Sequence, residues 1–479
     1  DLEDWAAALA TLDYPAERIT AFSPKSMSVL EIRSEKDLEV LTKIYANSVL
    51  LGDESEDGWG IKYATEFHMT NDSKLFIGRD KAEANGFEPD QYGRWVNAEG
   101  EVLLPLYEGR MVGQFDFSEK GWVSGKGRTA VWREIPWDEK EIEPQYLMPA
   151  QTYASERPDS CSRSRVAFMD IASATNQRTC IATAIPGLPC GNSAPVLFSV
   201  SPLALSAVLN SFAYDNVARQ RCGGLHLNYF VIEETPLSAP TPSRAFLEGL
   251  SAQLHAGHRL MAPLVASSMH HRRAALNYGE RVRLRCIADA TITVLYGLAY
   301  ADLAWILRDC DHPSDRLRDK AFCRALDPKG FWRIDKDRDP ELRHTVLSLA
   351  AFDDLQKAIA VAGSRDAGIE AWCAQNDGDG WMLPETLCIA DLGLTRTVNV
   401  EYDERSKTPQ PVRSRMGERF LDWQLAQTPE ESWAECERHA EAIMGGMPPE
   451  ATDKTTPAAK PATRQKKPTT QSTLFNTAD

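Results

Sequence analysis

Apolar and polar positions alternate most legibly between residues 165 and 236. Three short apolar, β-prone runs (166–171, 179–185 and 194–200) are separated by turn-formers: Ala174-Thr175-Asn176, Pro186-Gly187 and Gly191-Asn192. That pattern predicts consecutive strands. A helix is predicted next. Ser201 suits its N-cap, Pro202 its first position, and Leu205, Val208, Leu209 and Phe212 recur at helical spacing. Gly223-Gly224 is expected to end it in the left-handed conformation. Residues 226–232 read as one more strand, stopped by Pro236.

The flanks read differently. Residues 1–51 are mainly helical, with Leu38, Leu41, Ile44 and Tyr45 on one face and Ser34 and Asp37 at capping-box positions. Residues 53–57 form an acidic loop, and 59–117 alternate short strands with loops, including a strand at 74–77. If 104–117 is helical, Arg110 and Gln114 share a side. Residues 120–132 are Gly- and Lys-rich without P-loop spacing, so a flexible loop near phosphates is expected there rather than a nucleotide site. Residues 236–242 form a stiff Pro-rich connector. Beyond it the pattern turns helical, with Leu247, Leu250 and Leu254 in step, two helices about Tyr296-Gly297, and further helices to 443. From Met447 the composition collapses to Pro, Thr, Ala, Lys and Gln, a disordered basic tail.

The joints carry the candidate chemistry. Asn176, Gln177 and Arg178 sit between strands, Arg219, Gln220 and Arg221 close the helix, and Asn228 begins the last predicted strand. Arg, Asn and Gln suit phosphates and base edges. The same residues also serve as turn-formers and helix C-terminal charges.

Five segments in order, MTNDSKLF (69–76), LPLYEGRMVGQFDF (104–117), FMDIASATNQRT (168–179), NSFAYDNVARQRCGGLHLNYFVIEETP (210–236) and LYGLAYADLAWIL (295–307), resemble the C-terminal half of large adenine-specific DNA methyltransferases. These are the type IIG restriction–modification enzymes and their phage-defence relatives, whose methylase domain precedes a TaqI-like target-recognition region. The resemblance spans roughly residues 59–433. It implies an α+β chain: a segment resting on a methylase domain (1–58), a β-rich recognition domain (59–237), a helical bracing region (238–345), a C-terminal helical region (346–445) and the tail (446–479). It implies double-stranded DNA as partner. Asn176, Arg178, Asn192 and Asn228 would approach base edges, with Gln220 beside them, and Arg165, Arg219 and Arg221 would hold phosphates. S-adenosylmethionine is expected in a methylase domain outside this sequence, since a chain opening on Asp1 is expected to be part of a longer one. Gln471, Leu474 and Phe475 in the tail resemble the peptide by which bacterial DNA-processing proteins hold the sliding clamp.

Composition changes this picture in one respect. The chain of 479 residues has a net charge of −16, awkward for a DNA binder, with ordinary apolar (43%) and charged (25%) content. The charge is uneven. Residues 1–60 hold 13 acidic against 5 basic side chains (net −8), 160–232 hold 5 Arg against 2 Asp (net +3), and 258–285 hold 6 Arg against 1 Glu (net +5). Basic islands permit a localised DNA groove. Ten cysteines without a C-x-x-C pair argue against zinc and disulfides and point to a reducing cytoplasm. No apolar run has membrane-spanning length.

Catalytic motifs are missing. The only Pro-Pro, Pro448-Pro449, cannot grip a flipped adenine, and no cofactor loop follows a strand. Pro89-Asp90 and Glu101 lack the nuclease lysine, Leu103 standing in its place. His270-His271 is a poor metal pair, adjacent residues pointing apart on a helix. The chain alone is therefore expected neither to methylate DNA nor to bind a metal. The alternatives are a non-catalytic protein-interaction module and a stand-alone nuclease.

Overall fold

Alternation at the strands predicted from 165–200 feeds two apolar layers at once. The four-stranded antiparallel sheet runs Ala182–Ile185, Arg165–Phe168, Val196–Phe198, Lys62–Ala64. Val166, Phe168 and Leu197 enter one cluster, while Ala167, Val196 and Phe198 enter another on the opposite face. A sheet covered on both sides reads as continuous apolar sequence. These strands are shorter than the apolar runs. The computed structural model describes residues 14–383 except 57, 239–242, 267, 269–273, 276–277 and 339.

The predicted helix after Ser201 is two helices, Pro202–Leu209 and Phe212–Arg221. Asn210 breaks it. Its side chain donates to Ala182 O (2.7 Å) and Ser206 O (2.9 Å) and accepts from Ala182 N (3.1 Å), tying helix to sheet. Ser211 then caps the second helix by accepting from Tyr214 N (3.2 Å). Such side chains compete with helical bonding and favour ends. Cys222 ends the second helix at φ −77°, and neither Gly223 nor Gly224 is left-handed.

The strand expected at 226–232 is a short helix, Tyr229–Ile232. Helical spacing buries Ile232 and stacks Tyr229 on Tyr63, with ring centroids 4.8 Å apart, while Phe230 faces outward. Pro236 does not stop a strand; it opens one. Pro236–Ser238 pairs antiparallel with Ser48–Leu50, and Pro is tolerated at a strand's first residue.

A second, five-stranded antiparallel sheet runs Ile77–Gly78, Tyr146–Pro149, Val102–Pro105, Trp95–Val96, Glu88–Pro89. The strand expected at 74–77 is largely the tight turn Ser73–Leu75. Residues 104–117 are not a helix: a strand end is followed by the turn Gly109–Met111. Arg110 consequently lies over Trp132 (5.9 Å), apart from half-buried Gln114, which sits against Arg178. Residues 120–132 form most of a hairpin, Lys120–Ser124 with Val131–Glu134, whose exposed tip carries Lys126 and Arg128.

Helices dominate the rest. The expected 244–254 helix is Arg244–His255. Tyr278–Leu295 and Tyr300–Ile306 meet at an angle of 120°. The turn needs Gly297, at φ +70°, where a Cβ would lie 2.6 Å from the Asn47 amide. His344–Ala362 packs on Tyr278–Leu295 and on Arg365–Cys373. The fold is α+β. Among the described residues no single helix is long and apolar enough to cross a membrane, and the cysteines are free thiols.

The main apolar cluster takes residues from Phe22 to Trp381. The divisions expected at 58, 237 and 345 therefore partition the chain but not its core. The N-terminal segment, expected to lie on a separate domain, buries Phe22, Leu38, Leu41 and Ile44 in this same core. Its Ser34 cap forms as expected, accepting from Asp37 N (3.1 Å). The helix expected at 420–443, the tail with Gln471, Leu474 and Phe475, and His270-His271 lie outside the described residues.

Glu108 precedes the turn Gly109–Met111, and its Oε1 is buried without a hydrogen-bond partner. Burial pushes its carboxyl up from 4.5 to about 7, against the pull of Arg110. The folded protein thus keeps a proton that the unfolded chain releases, so stability falls as pH rises from 4.5 to about 7. Glu108→Gln removes this penalty. Thermal unfolding is expected to show the variant gaining over wild type at pH 8 and gaining much less at pH 5; equal gains at both would refute the assignment.

Candidate nucleic-acid interface

Of the residues expected to meet DNA, the arginines turn inward. Arg165 is fully buried. Its guanidinium pairs with Glu66 (3.1 Å) and bonds Tyr153, Ser160 O and Leu188 O. Arg221 bonds Val231 O (3.0 Å), Phe22 O (2.9 Å) and Tyr45 (3.2 Å) and pairs with Glu234. It fastens the N-terminal segment to the core. Neither is placed to hold a phosphate. Two arginines of the 258–285 island behave likewise: Arg281 donates to Leu254 O, Ala275 O and Phe115 O, and Arg283 to Asp379 O and Trp381 O, whereas Arg259 is exposed and bonds Gln91. These two cross-link the interior, because a guanidinium offers five donors to carbonyls that no ladder serves.

Arg178 and Arg219 share one carboxylate, Asp215, at 3.3 and 3.4 Å. Asp215 also accepts from Thr179 N (3.0 Å) and Cys180 N (2.8 Å). Arg178 donates to Asn210 O, the Gln114 amide lies beside it and accepts from its Nε at 2.9 Å once the amide oxygen and nitrogen are exchanged, and its guanidinium lies 4.4 Å from the Phe212 ring. Arg219 stacks on Phe331 at 3.9 Å. Burial lowers both arginines below their ordinary value, Arg219 to about 10, while Asp215 pulls each back up. The expected base contact of Arg178 and phosphate contact of Arg219 are therefore replaced by interior bonds. Most of their donors are matched and both are paired with Asp215, which offsets the cost of burying a guanidinium.

Those bonds hold a surface. Arg219 donates to Asn176 O (2.9 Å) and Gln177 O on one turn, and to Lys329 O (2.8 Å) and Gly330 O (3.2 Å) on another. The side chains of Asn176 and Gln177 remain exposed. The same loop meets residues 225–227: Ala172 N donates to Leu225 O (3.0 Å), Leu227 N to Asp170 O (2.8 Å), and His226 pairs with Asp170 at 2.6 Å. Asn228 follows, exposed, its side chain making no capping bond. Ile171 (58% exposed) and Leu225 (67%) lie on these loops, and Phe230 (61%) on the short helix that follows. Asn192 is half-buried, its Oδ1 accepting from Met69 N (3.1 Å). The carbonyl of its neighbour Ser193 accepts from Asp170 N (3.1 Å). Gln220 points inward, its Oε1 buried without a partner.

The structure thus leaves Asn176 and Asn228 exposed on two loops that meet through residues 170–172 and 225–227, with Asn192 half-buried, and turns Arg165, Arg178, Arg219, Gln220 and Arg221 inward. Ile171, Leu225 and the His226–Asp170 pair were missed. Their signal was weak: an apolar residue at a predicted strand end reads as core. Among the described residues no three His, Cys, Asp or Glu side chains gather to hold a metal. Comparison with protein-family models finds no match, and comparison with curated proteins finds none either.

Asp215→Ala leaves two interior guanidinium groups without their carboxylate. It is expected to cost about 3–5 kcal/mol, the penalty for breaking a buried pair, read as a lower midpoint in urea unfolding. A loss below about 1 kcal/mol, typical of exposed pairs, would refute the role given to the cluster.

Proposed function

We propose that this chain is the DNA target-reading portion of an adenine-specific DNA methyltransferase of restriction–modification or phage-defence type. The observation that carries the reading is the exposure of the amide side chains of Asn176, Gln177 and Asn228, on loops anchored by Arg219 and by the 170–172 contact with 225–227. Asn and Gln amides offer the donor–acceptor pair that matches adenine in the major groove, and apolar side chains contact the thymine methyl. Ile171 and Leu225 supply the second kind. Loops on a rigid support are the usual carriers of recognition. The resemblance of the 168–179 and 210–236 segments to target-recognition regions falls on these loops. In this reading a methylase domain outside the sequence binds S-adenosylmethionine and transfers the methyl group. The duplex would reach that domain in register because these loops place it.

A second reading, a non-catalytic protein-interaction module, is favoured by the exposed Ile171, Leu225 and Phe230, since clustered exposed apolar groups mark contact surfaces. Selection from a random duplex library separates the two. The DNA reading expects the chain to enrich a defined motif. Asn176→Ala and Asn228→Ala each relax positions within it, with about tenfold to a hundredfold less discrimination. Enrichment of no motif, or a motif unchanged in both variants, would sink it.

A further inference from the structure

A cleft of about 460 Å³ opens between the helix Lys320–Ala325 and residues 326–333. Lys320, Arg324 and Arg333 line it, with Pro328 and Trp332. The preceding turn, Arg316–Arg318, adds two exposed cations. In a protein of net charge −16, residues 316–333 carry 6 basic and 2 acidic side chains, net +4. Both acids are engaged, one in ion pairs and one as the cap of the cleft helix. Asp327 is held by Arg308 (2.6 Å) and Arg33 (3.1 Å), and Asp319 accepts from Ala321 N (2.8 Å). Lys329 turns inward to Glu31 (2.9 Å) and Arg219 O (3.2 Å). Arg318, Lys320 and Arg324 make no ion pair among the described residues.

The cleft is also pre-shaped. Arg333 lies over Trp332 at 4.0 Å and donates to Pro328 O (2.9 Å), and Trp332 is held by its bond to Asp327 O (2.8 Å). Arg316 lies over Phe322 at 4.8 Å. Stacked guanidinium groups lose little entropy on meeting an oxyanion. Several unpaired cations side by side suit a polyanion better than a single carboxylate. The place matters as well. Lys329 and Gly330, inside this same loop, are tied by Arg219 to Asn176 and Gln177.

We propose that this cleft binds the sugar–phosphate backbone of duplex DNA beside the Asn176–Gln177 turn, with Lys320, Arg324 and Arg333 on phosphate oxygens. This rests on the DNA reading above. Base-reading loops and a phosphate anchor then divide specificity and register between them.

The test is fluorescence anisotropy of a labelled duplex with the full chain across a salt series. K320E/R324E is expected to raise Kd about tenfold or more and to lower the salt slope by about 2, one per phosphate contact. Its selected motif and thermal unfolding should stay as in wild type, since both side chains are exposed. Arg324→Gln should follow with a smaller loss, and Lys74→Glu, on the five-stranded side, should change little. Unchanged Kd and slope in K320E/R324E, with wild type binding duplex, overturn the cleft and leave the reading standing. An altered motif with affinity kept also overturns it. A wild-type chain that binds no duplex at low salt overturns both. Binding to phosphatidylserine vesicles alone, lost in the double variant, overturns the DNA assignment in favour of a membrane surface.

Discussion

A guanidinium group cannot shed its proton in a protein, so once buried it must find acceptors for its donors and an answer to its charge. This chain buries several. Arg165, Arg219, Arg281 and Arg343 lie in the interior and donate mostly to backbone carbonyls of loops and helix ends. Carbonyls in such segments have no ladder partner, and leaving them unmatched is costly. One arginine serves carbonyls on two or three separate stretches. Irregular chain is thereby held as firmly as a strand would be.

Asp215 is the point on which this arrangement turns near the surface. It balances Arg178 and Arg219 and receives two backbone amides from the strand entry at Thr179 and Cys180. The turn at Asn176 and Gln177 is therefore gripped from both sides, by Arg219 through its carbonyls and by Asp215 through the residues that follow. Its side chains are left free to face outward. The cluster resembles neither a catalytic dyad nor a phosphate clamp in its surroundings: its groups are enclosed by Phe212 and Phe331. It acts as a scaffold that fixes where loops emerge, and a recognition face gains precision when its support is rigid.

Charge follows the same division. Positive residues at 160–232, with Arg281 and Arg283, are largely spent on internal carbonyls and carboxylates, whereas those at 316–333 stand beside a cleft. Counting charges along the chain cannot separate these cases. The difference lies in what packs above each side chain, and that is decided by elements far away in sequence.

Several features were legible in the sequence because they rest on local chemistry. The strands near 166, 182 and 196, the Ser34 cap, the Pro202 helix start and the break at Gly297 follow from side-chain branching, hydrogen-bonding reach or backbone freedom within a few residues. Asn210 and Ser211 carried a readable signal too, a cap pair inside an apolar helix pattern, which the helical spacing of Leu209 and Phe212 masked. Other features needed the assembled fold. Residues 229–232 are helical because Tyr63 offers a stacking surface to Tyr229, and Pro236 is in a strand because Ser48–Leu50 lies alongside. Whether an arginine serves the interior or a ligand depends on which carbonyls arrive next to it, and those come from 43 residues upstream for Asn176 and 110 downstream for Lys329. Sequence alone determined the local elements and the stock of amide and cationic groups; tertiary packing alone decided which of them face out, since burial is a property of neighbours that no short window contains.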